Sequence, residues 1–521
     1  MKKNLLSLAV AASAAGVTSL ATAQMYINPE HTGEALVFPL YSVQGGNDTY
    51  IHIVNTTAQT KAVKVRMLEG TESLETLDFN LYMSAYDHFS YVITADGDGA
   101  MLKTGDTSCT VPAIDADGVP FSDILWEASD DGEAREQMGY IEIIEMGQID
   151  GDATVADIDH GTTGVPGDCA QLVANWSKAE GGVPGAWYDE ADAQLVDLNN
   201  GAASVGVTDF AATWNGGGLY GVATVINSVE GTSFGYDAVA IEDLVDPTSS
   251  GSVLHYPPGD TRPDFDDPAM NLTANVNVDG VQTTYTGSIT APAHTVSAVF
   301  MTESISNDYV LDTAVDAATD WVITMPTKSN HFDGLLFSAP FSNETIDALS
   351  GEATATGLCQ PVNMTAYDRE EQVQDQPTVD PEDPDAPKFS PSVAPDPEQP
   401  TSTPDWALCA EANIVHFGDR SATNSSSNLH DAQAFIAGWE NGWAVMDLTE
   451  ETLNNGLDNE RVLPGAIAGN DGELTGLPVT GFAVIEYVNT DLSNVGGAAG
   501  LAANYQSAWE HKTSVATSSA N

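Results

Sequence analysis

The chain has 521 residues, and 76 acidic side chains against 15 basic ones give a formal net charge of −61. A polyanion of this size repels nucleic acid and anionic membrane surfaces, so neither is expected as a partner. Hydrophobic residues make up 42 %. That is ordinary globular usage, so the acidity is a property of the surface and not a mark of global disorder.

Residues 1–23 read as an export signal. Lys2 and Lys3 form a basic start, Leu5 to Leu20 is apolar and small, and Ala21-Thr22-Ala23 is an A-x-A cleavage pattern before Gln24. Its removal leaves 13 basic residues and a charge of 13 − 76 = −63. No later stretch reaches the roughly 18 apolar residues of a membrane span, so no transmembrane segment is expected in the mature chain. The expected location is extracytoplasmic, secreted or at the cell surface.

Most of the remaining chain reads as β. The segments 35–43, 49–57, 61–69, 77–83, 89–94 and 139–147 are rich in β-branched and aromatic residues, often alternating, and bounded by Gly, Asn, Asp or Pro. The loop 44–48, QGGND, is a hairpin signal between the first two. The style returns at 221–229, 295–303, 320–326 and 481–489. Helical periodicity is scarce, with short candidates near Tyr236–Leu244 and Asp431–Trp439. The fold class expected is all-β. It comprises two β-sandwich domains of Ig-like, Greek-key character over 24–200 and 201–521.

Three segment pairs recur in the same order: 51–57 with 223–229, 90–94 with 320–324, and 139–147 with 481–489. A diverged duplication explains them, and so does the general similarity of short strands. Residues 370–405 differ from everything around them, with nine prolines and ten acidic side chains among 36 residues. Such a segment has too little apolar surface to form a core and is expected to be an extended loop inserted in the second domain. The four cysteines are Cys109, Cys169, Cys359 and Cys409. They allow three pairings, and sequence does not choose among them; proximity favours Cys109–Cys169 and Cys359–Cys409.

Chemistry-bearing motifs are sparse. Gly231-Thr232-Ser233-Phe234-Gly235 matches the nucleophile-elbow pattern, but the chain lacks the β/α alternation that builds the required parallel sheet, so a Gly-rich turn is expected. Leu477-Pro478-Val479-Thr480-Gly481 spells a wall-sorting motif without the apolar span and basic tail that must follow it. Of the Asp-rich loops, Asp115, Asp117 and Asp123 are the best candidate for a Ca²⁺ site, ahead of Asp96/Asp98, Asp150/Asp152 and Asp264/Asp266/Asp267. Solvated acidic loops that bind divalent cations diffusely are the plainer reading. No other cofactor is indicated. Trp176, Trp187, Tyr188, Trp439 and Trp443 have the chemistry to stack on sugars, although core packing suits most tryptophans.

The segments 25–57, 61–87, 139–147, 226–238, 320–328 and 501–512 together resemble a group of exported proteins of Gram-negative bacteria known only as cell surface proteins. The resemblance implies a β-rich fold and surface placement, and it brings no catalytic residues. The function expected is therefore a non-catalytic extracellular or cell-surface protein, structural or adhesin-like, that self-associates or binds a cell-surface or matrix partner. The alternatives are a secreted carbohydrate-active protein, either a binding module or a glycoside hydrolase, and a cation-binding structural protein.

At this charge, self-repulsion is the destabilising force that simple screening removes. The melting temperature should rise between about 0.02 and about 0.5 M NaCl, and divalent cations should act at lower concentration than Na⁺. An unchanged melting temperature over that range would mean that the charges are too dispersed to matter.

Overall fold

The computed structural model describes residues 24–126, 132–177, 185–187, 209–211, 216–246, 254–334, 336–341, 360–371, 373–375, 407–426, 439–452, 458–470, 472–489 and 503–517. Residues 1–23, expected as an export signal, and most of the acidic, Pro-rich segment 370–405 lie outside the described residues. The architecture is all-β, in antiparallel sheets. No helix among the described residues is long and apolar enough to cross a membrane.

The first sandwich is built from thirteen strands: β1 (Tyr26–Ile27), β2 (Ala35–Ser42), β3 (Asn47–Asn55), β4 (Thr60–Glu69), β5 (Glu75–Met83), β6 (His88–Asp96), β7 (Gly99–Lys103), β8 (Cys109–Val111), β9 (Val119–Pro120), β10 (Met138–Ile149), β11 (Leu219–Asn227), β12 (Thr232–Asp237) and β13 (Val239–Glu242). A seven-stranded sheet runs β1-β13-β2-β10-β4-β5-β8, and a six-stranded sheet runs β12-β11-β3-β6-β7-β9. Leu36, Phe38, Val63, Val65, Phe79, Leu81 and Ile143 meet Ile51, Ile53, Phe89, Tyr91 and Val225 between them, all buried. The sheets close tightly at β2 and β11, where a Cβ added to Gly221 would lie 2.3 Å from the Phe38 ring.

These pairings correct the expected domain boundary at residue 200. The strands from 219 to 242 return to β2 and β3, so they complete the first sandwich. They also remove one of the three duplication pairs, because 51–57 and 223–229 supply neighbouring strands of a single sheet. The helix expected near Tyr236–Leu244 is the strand pair β12 and β13. Tyr236, Ala238 and Ala240 are buried at alternate positions, the strand period. The second helix candidate falls, up to residue 438, outside the described residues.

The second sandwich pairs a five-stranded sheet, in the order 373–375, 363–368, 441–447, 304–310 and 512–514, with a four-stranded sheet, in the order 412–416, 317–324, 480–487 and 505–510. Trp321, Ile323 and Ala483 face Ile305, Tyr309, Met364 and Met446 in its core. Residues 373–375 were assigned to the loop but pair with 365–367 as an edge strand. The segment 295–303, expected as a strand, is instead the helix Ala293–Phe300 followed by a two-residue strand. Enclosure on nearly every side, not β-propensity, decides its form, since Ala293, Thr295, Val296, Ser297, Ala298 and Phe300 are all buried.

The four-stranded sheet is buried on both faces. Ala318, Val322, Phe482 and Val484 point away from their own sandwich and join the core of the first. Tyr236 stacks on Phe482 at a ring separation of 4.5 Å, and Thr324 Oγ1 donates to the Pro39 carbonyl at 2.6 Å. The outer face of the seven-stranded sheet is also covered. Helices Asp152–Ile158 and Cys169–Asn175, the segment 254–300 and residues 463–474 form a third core there with Val37, Ile144 and Met146.

Cys109 and Cys169 form a disulfide across a sequence separation of 60, tying edge strand β8 to the helix Cys169–Asn175. Cys409 is also disulfide-bonded, while its expected partner Cys359 lies outside the described residues. Replacing Cys109 and Cys169 together by alanine should lower stability by about 4 kcal/mol, the chain-entropy value for a loop of this size. A guanidinium midpoint equal to that of the parent chain would show that the bridge constrains nothing.

Candidate functional site

Buried charge is concentrated in the seven-stranded sheet. Lys61 and Lys64 on β4 are fully buried and Arg66 nearly so. The Lys61 ammonium donates to Glu145 at 2.8 Å, and Lys64 pairs with Asp78 on β5. Arg66 bridges two strands, with Nε donating to Glu75 at 2.9 Å and Nη1 to Glu142 at 2.6 Å. A second group lies where β4 meets the second sandwich. Arg135 donates to Glu69 at 2.9 Å and to Glu72 at 2.8 Å, and the amides of Glu411 and Ala412 both donate to the Gly70 carbonyl. Lys328 is buried beside Glu411, over the Phe337 ring at 5.6 Å. In sequence, KAVKVR and YIEIIE read as strands with one solvated face. Both faces are covered, so these ions must find each other.

Burial drives the titration of these groups. Glu142 is pushed up from 4.5 to about 7 by burial, against the pull of Arg66. Glu411 is pushed up by burial to about 8, against the pull of Lys328. Glu242 rises to about 7 by burial, helped by Asp243 and Glu145.

A cleft lies between the two sandwiches. A cavity of 610 Å³ and another of 290 Å³ share Ile27, Pro29, Val299, Met301 and Val515, and form one groove beneath β1 and the helix Ala293–Phe300. Its titratable lining is Tyr26, His31, Tyr236, Asp237, Glu510 and His511. His511 is held in place: Nε2–H donates to the Val322 carbonyl at 3.0 Å and Nδ1 faces the Asn307 amide at 3.2 Å. Burial pushes it down to about 4. The groove is lined mainly by apolar side chains and backbone, without a paired acid and base.

A serine–histidine contact that the sequence did not signal exists elsewhere. Ser297 Oγ lies 2.8 Å from His331 Nε2 and donates to Thr327 Oγ1 at 2.8 Å. Both residues are buried, His331 Nδ1 faces Ser338 Oγ at 3.2 Å rather than a carboxylate, and burial pushes the imidazole down to about 3. This buried contact pins the helix Ala293–Phe300 to the 329–331 turn.

The residues singled out from sequence are mostly dispersed. Ser233 is exposed on β12, directly after the β11–β12 turn, so the Gly-rich pattern is a hairpin and not a strand-to-helix elbow. Leu477-Pro478 pairs with Met301-Thr302, and Thr480–Tyr487 is a core strand. Asp115 accepts from the Gly118 amide through its own carbonyl in a tight exposed turn, while Asp123 lies near Glu136. These three aspartates do not form a metal-ligand group, and the described residues contain no cluster of three or more His, Cys, Asp or Glu able to hold a metal ion. Asp266 accepts from the Ala293 amide and Asp267 from the Tyr256 hydroxyl, both as structural contacts. Trp176 and Trp187 are buried around His255 and Tyr82. Trp443 is 44 % exposed and stacks on Tyr367 at 4.4 Å on the outer face of the five-stranded sheet. Tyr188 lies outside the described residues.

No family model, curated protein or solved structure matches this chain. The functional reading therefore rests on its own residues.

The shifted groups set the dependence of stability on pH. The three raised carboxyls bind a proton more tightly folded than unfolded, so their contribution is full at low pH and is lost as pH rises from 4.5 through about 7 to about 8. His255, His331 and His511 are pushed down by burial from 6.5 to about 3, about 3 and about 4. Their contribution is full above 6.5 and is lost as pH falls. The two slopes oppose each other between 4.5 and 6.5. Thermal unfolding at fixed high salt should show a plateau there, with declines above and below it, and Glu411→Gln should flatten the alkaline decline. A melting temperature that climbs steadily from about pH 5 to about pH 8 would contradict this.

Proposed function

We propose that this chain is an exported, non-catalytic protein of the cell exterior, structural or adhesin-like. The observation that carries the reading is where its cations go. Of the eleven Lys and Arg among the described residues, five (Lys61, Lys64, Arg66, Lys328 and Arg461) are buried. Nearly half of the described basic residues therefore neutralise the interior, and six are left on a surface that carries most of the acidic side chains. Such a surface is soluble and tolerant of salt, and it is poorly suited to nucleic acid or anionic lipid. The export-signal pattern of residues 1–23 supports extracytoplasmic placement. The Cys109–Cys169 disulfide is compatible with it.

The exposed Tyr367–Trp443 stack favours a second reading, in which the five-stranded sheet binds carbohydrate. Hydroxyl and amide side chains of Thr365, Asn363 and Ser306 stand on the same sheet face. Aromatic faces stack on sugars, and such side chains hydrogen-bond them.

Cell fractionation should place the mature chain, starting at Gln24, outside the inner membrane. A panel of ester and polysaccharide substrates should give no turnover, and Ser233→Ala should change nothing. Turnover abolished by Ser233→Ala, or retention in the cytoplasm, would defeat the reading. Retardation by a neutral polysaccharide that is lost in Trp443→Ala would promote the second one.

A further inference from the structure

The outer face of the six-stranded sheet is unusual for this chain. Burial alternates strictly along β3, β11 and β12, so even-numbered residues of β3 and β11 point outward. The register sets them in rows across three strands: Tyr220, Val54 and His88; Val222, His52 and Ser90; Thr224, Tyr50 and Val92. Ile226 extends the patch. Outward positions of a half-solvated antiparallel sheet are normally polar, whereas half of these are aliphatic or aromatic. Tyr50 is 40 % exposed. The outward carboxylates of these strands lie at their ends: Asp48 on β3 accepts a hydrogen bond from Thr94, and Asp96 closes β6. Asp237 and Lys103 stand on the flanking strands. Asp87 and Asp106 at the rim are engaged with backbone amides.

We propose that this face is where a second copy of the chain docks, sheet against sheet. Charge decides the occupant. Two mature copies, each at 13 − 76 = −63, approach at least cost where carboxylates are fewest, and this face offers neither a basic cluster for an anionic partner nor an acidic one for a cationic partner. The outer edge of β12 is not free for strand addition, because it packs against 505–510. Area decides the strength. Five strands about 4.8 Å apart and about seven residues long give roughly 550 Å² per copy, below the roughly 800 Å² of a stable interface. The dimer is therefore weak and forms only when salt screens the remaining surface. The proposal deepens the structural reading and rests on it only for the biological role of the dimer.

Sedimentation velocity of the mature chain in about 0.05 M and about 1 M NaCl tests it, since the Debye length shrinks to about 3 Å over that range. The expected result is a monomer at low salt and a dimer at high salt. Val222→Asp and Tyr50→Asp should abolish the dimer with circular dichroism unchanged, while Trp443→Asp on the other sandwich should leave it intact. If the aspartate variants misfold, Thr224→Cys gives an independent readout, and oxidation should yield a disulfide-linked dimer at high salt only. A monomer at high salt together with no Thr224→Cys cross-link, or a dimer indifferent to a folded Val222→Asp, would overturn the interface. Either result leaves export and inactivity, read by fractionation and substrates, untouched.

Discussion

The structure depends on pairing charge inside a covered sheet. Strand β4 carries Lys61, Lys64 and Arg66, and each meets a carboxylate from β5 or β10. Removing an ion from water is costly, and a buried pair recovers that cost only when its geometry is good and its other hydrogen-bonding positions are filled. Here two of the carboxylates take further partners. Glu145 also accepts from the Gly217 amide, and Asp78 from the Gly259 amide, so the loops that cover the sheet are held by the same carboxylates that neutralise its cations. Removing one partner would leave the other buried and alone, which typically costs about 3–5 kcal/mol.

This pairing explains how so acidic a chain builds layers that are buried on both faces. The seven-stranded sheet has a sandwich core on one side and a second apolar layer on the other, and the four-stranded sheet lies between two cores. The two sandwiches are thereby joined through Phe482, Tyr236, Val322 and Thr324 rather than strung on a linker. The groove under β1 follows from the same junction, since it is the space left where the helix Ala293–Phe300 and the last strand meet the first sandwich. Its lining is what a packing seam leaves.

Individual strands were legible because their period is local. Alternation in TYIHIVN and LYGVATVIN places one face inward whatever the partner, and the expected strands fall within a few residues of β2 to β6, β10 and β11. The domain boundary was not legible, because β11 pairs with β3 across a long stretch of intervening chain and no local signal announces that return. The helix Ala293–Phe300 was hidden by Thr295, Val296 and Val299, which favour strands until complete burial overrides them. The Ser297–His331 contact had no motif, since the turn at 329–331 brings the imidazole beneath the helix only in three dimensions.

By itself, the sequence determined the all-β class, most strand positions of the first sandwich and the polyanionic character, because composition and period-2 patterning act over a few residues and need no partner. Tertiary structure alone decided which charged strands would be covered, which strands would close the first sandwich and which sheet face would stay open. Lys64 and Glu142 look like solvated residues in a list, and Tyr50 and Val222 look like ordinary strand residues. Their opposite fates, burial for the ions and exposure for the apolar groups, follow from which sheet each strand joined. That choice is made by long-range backbone pairing and by loops laid over one face and not the other.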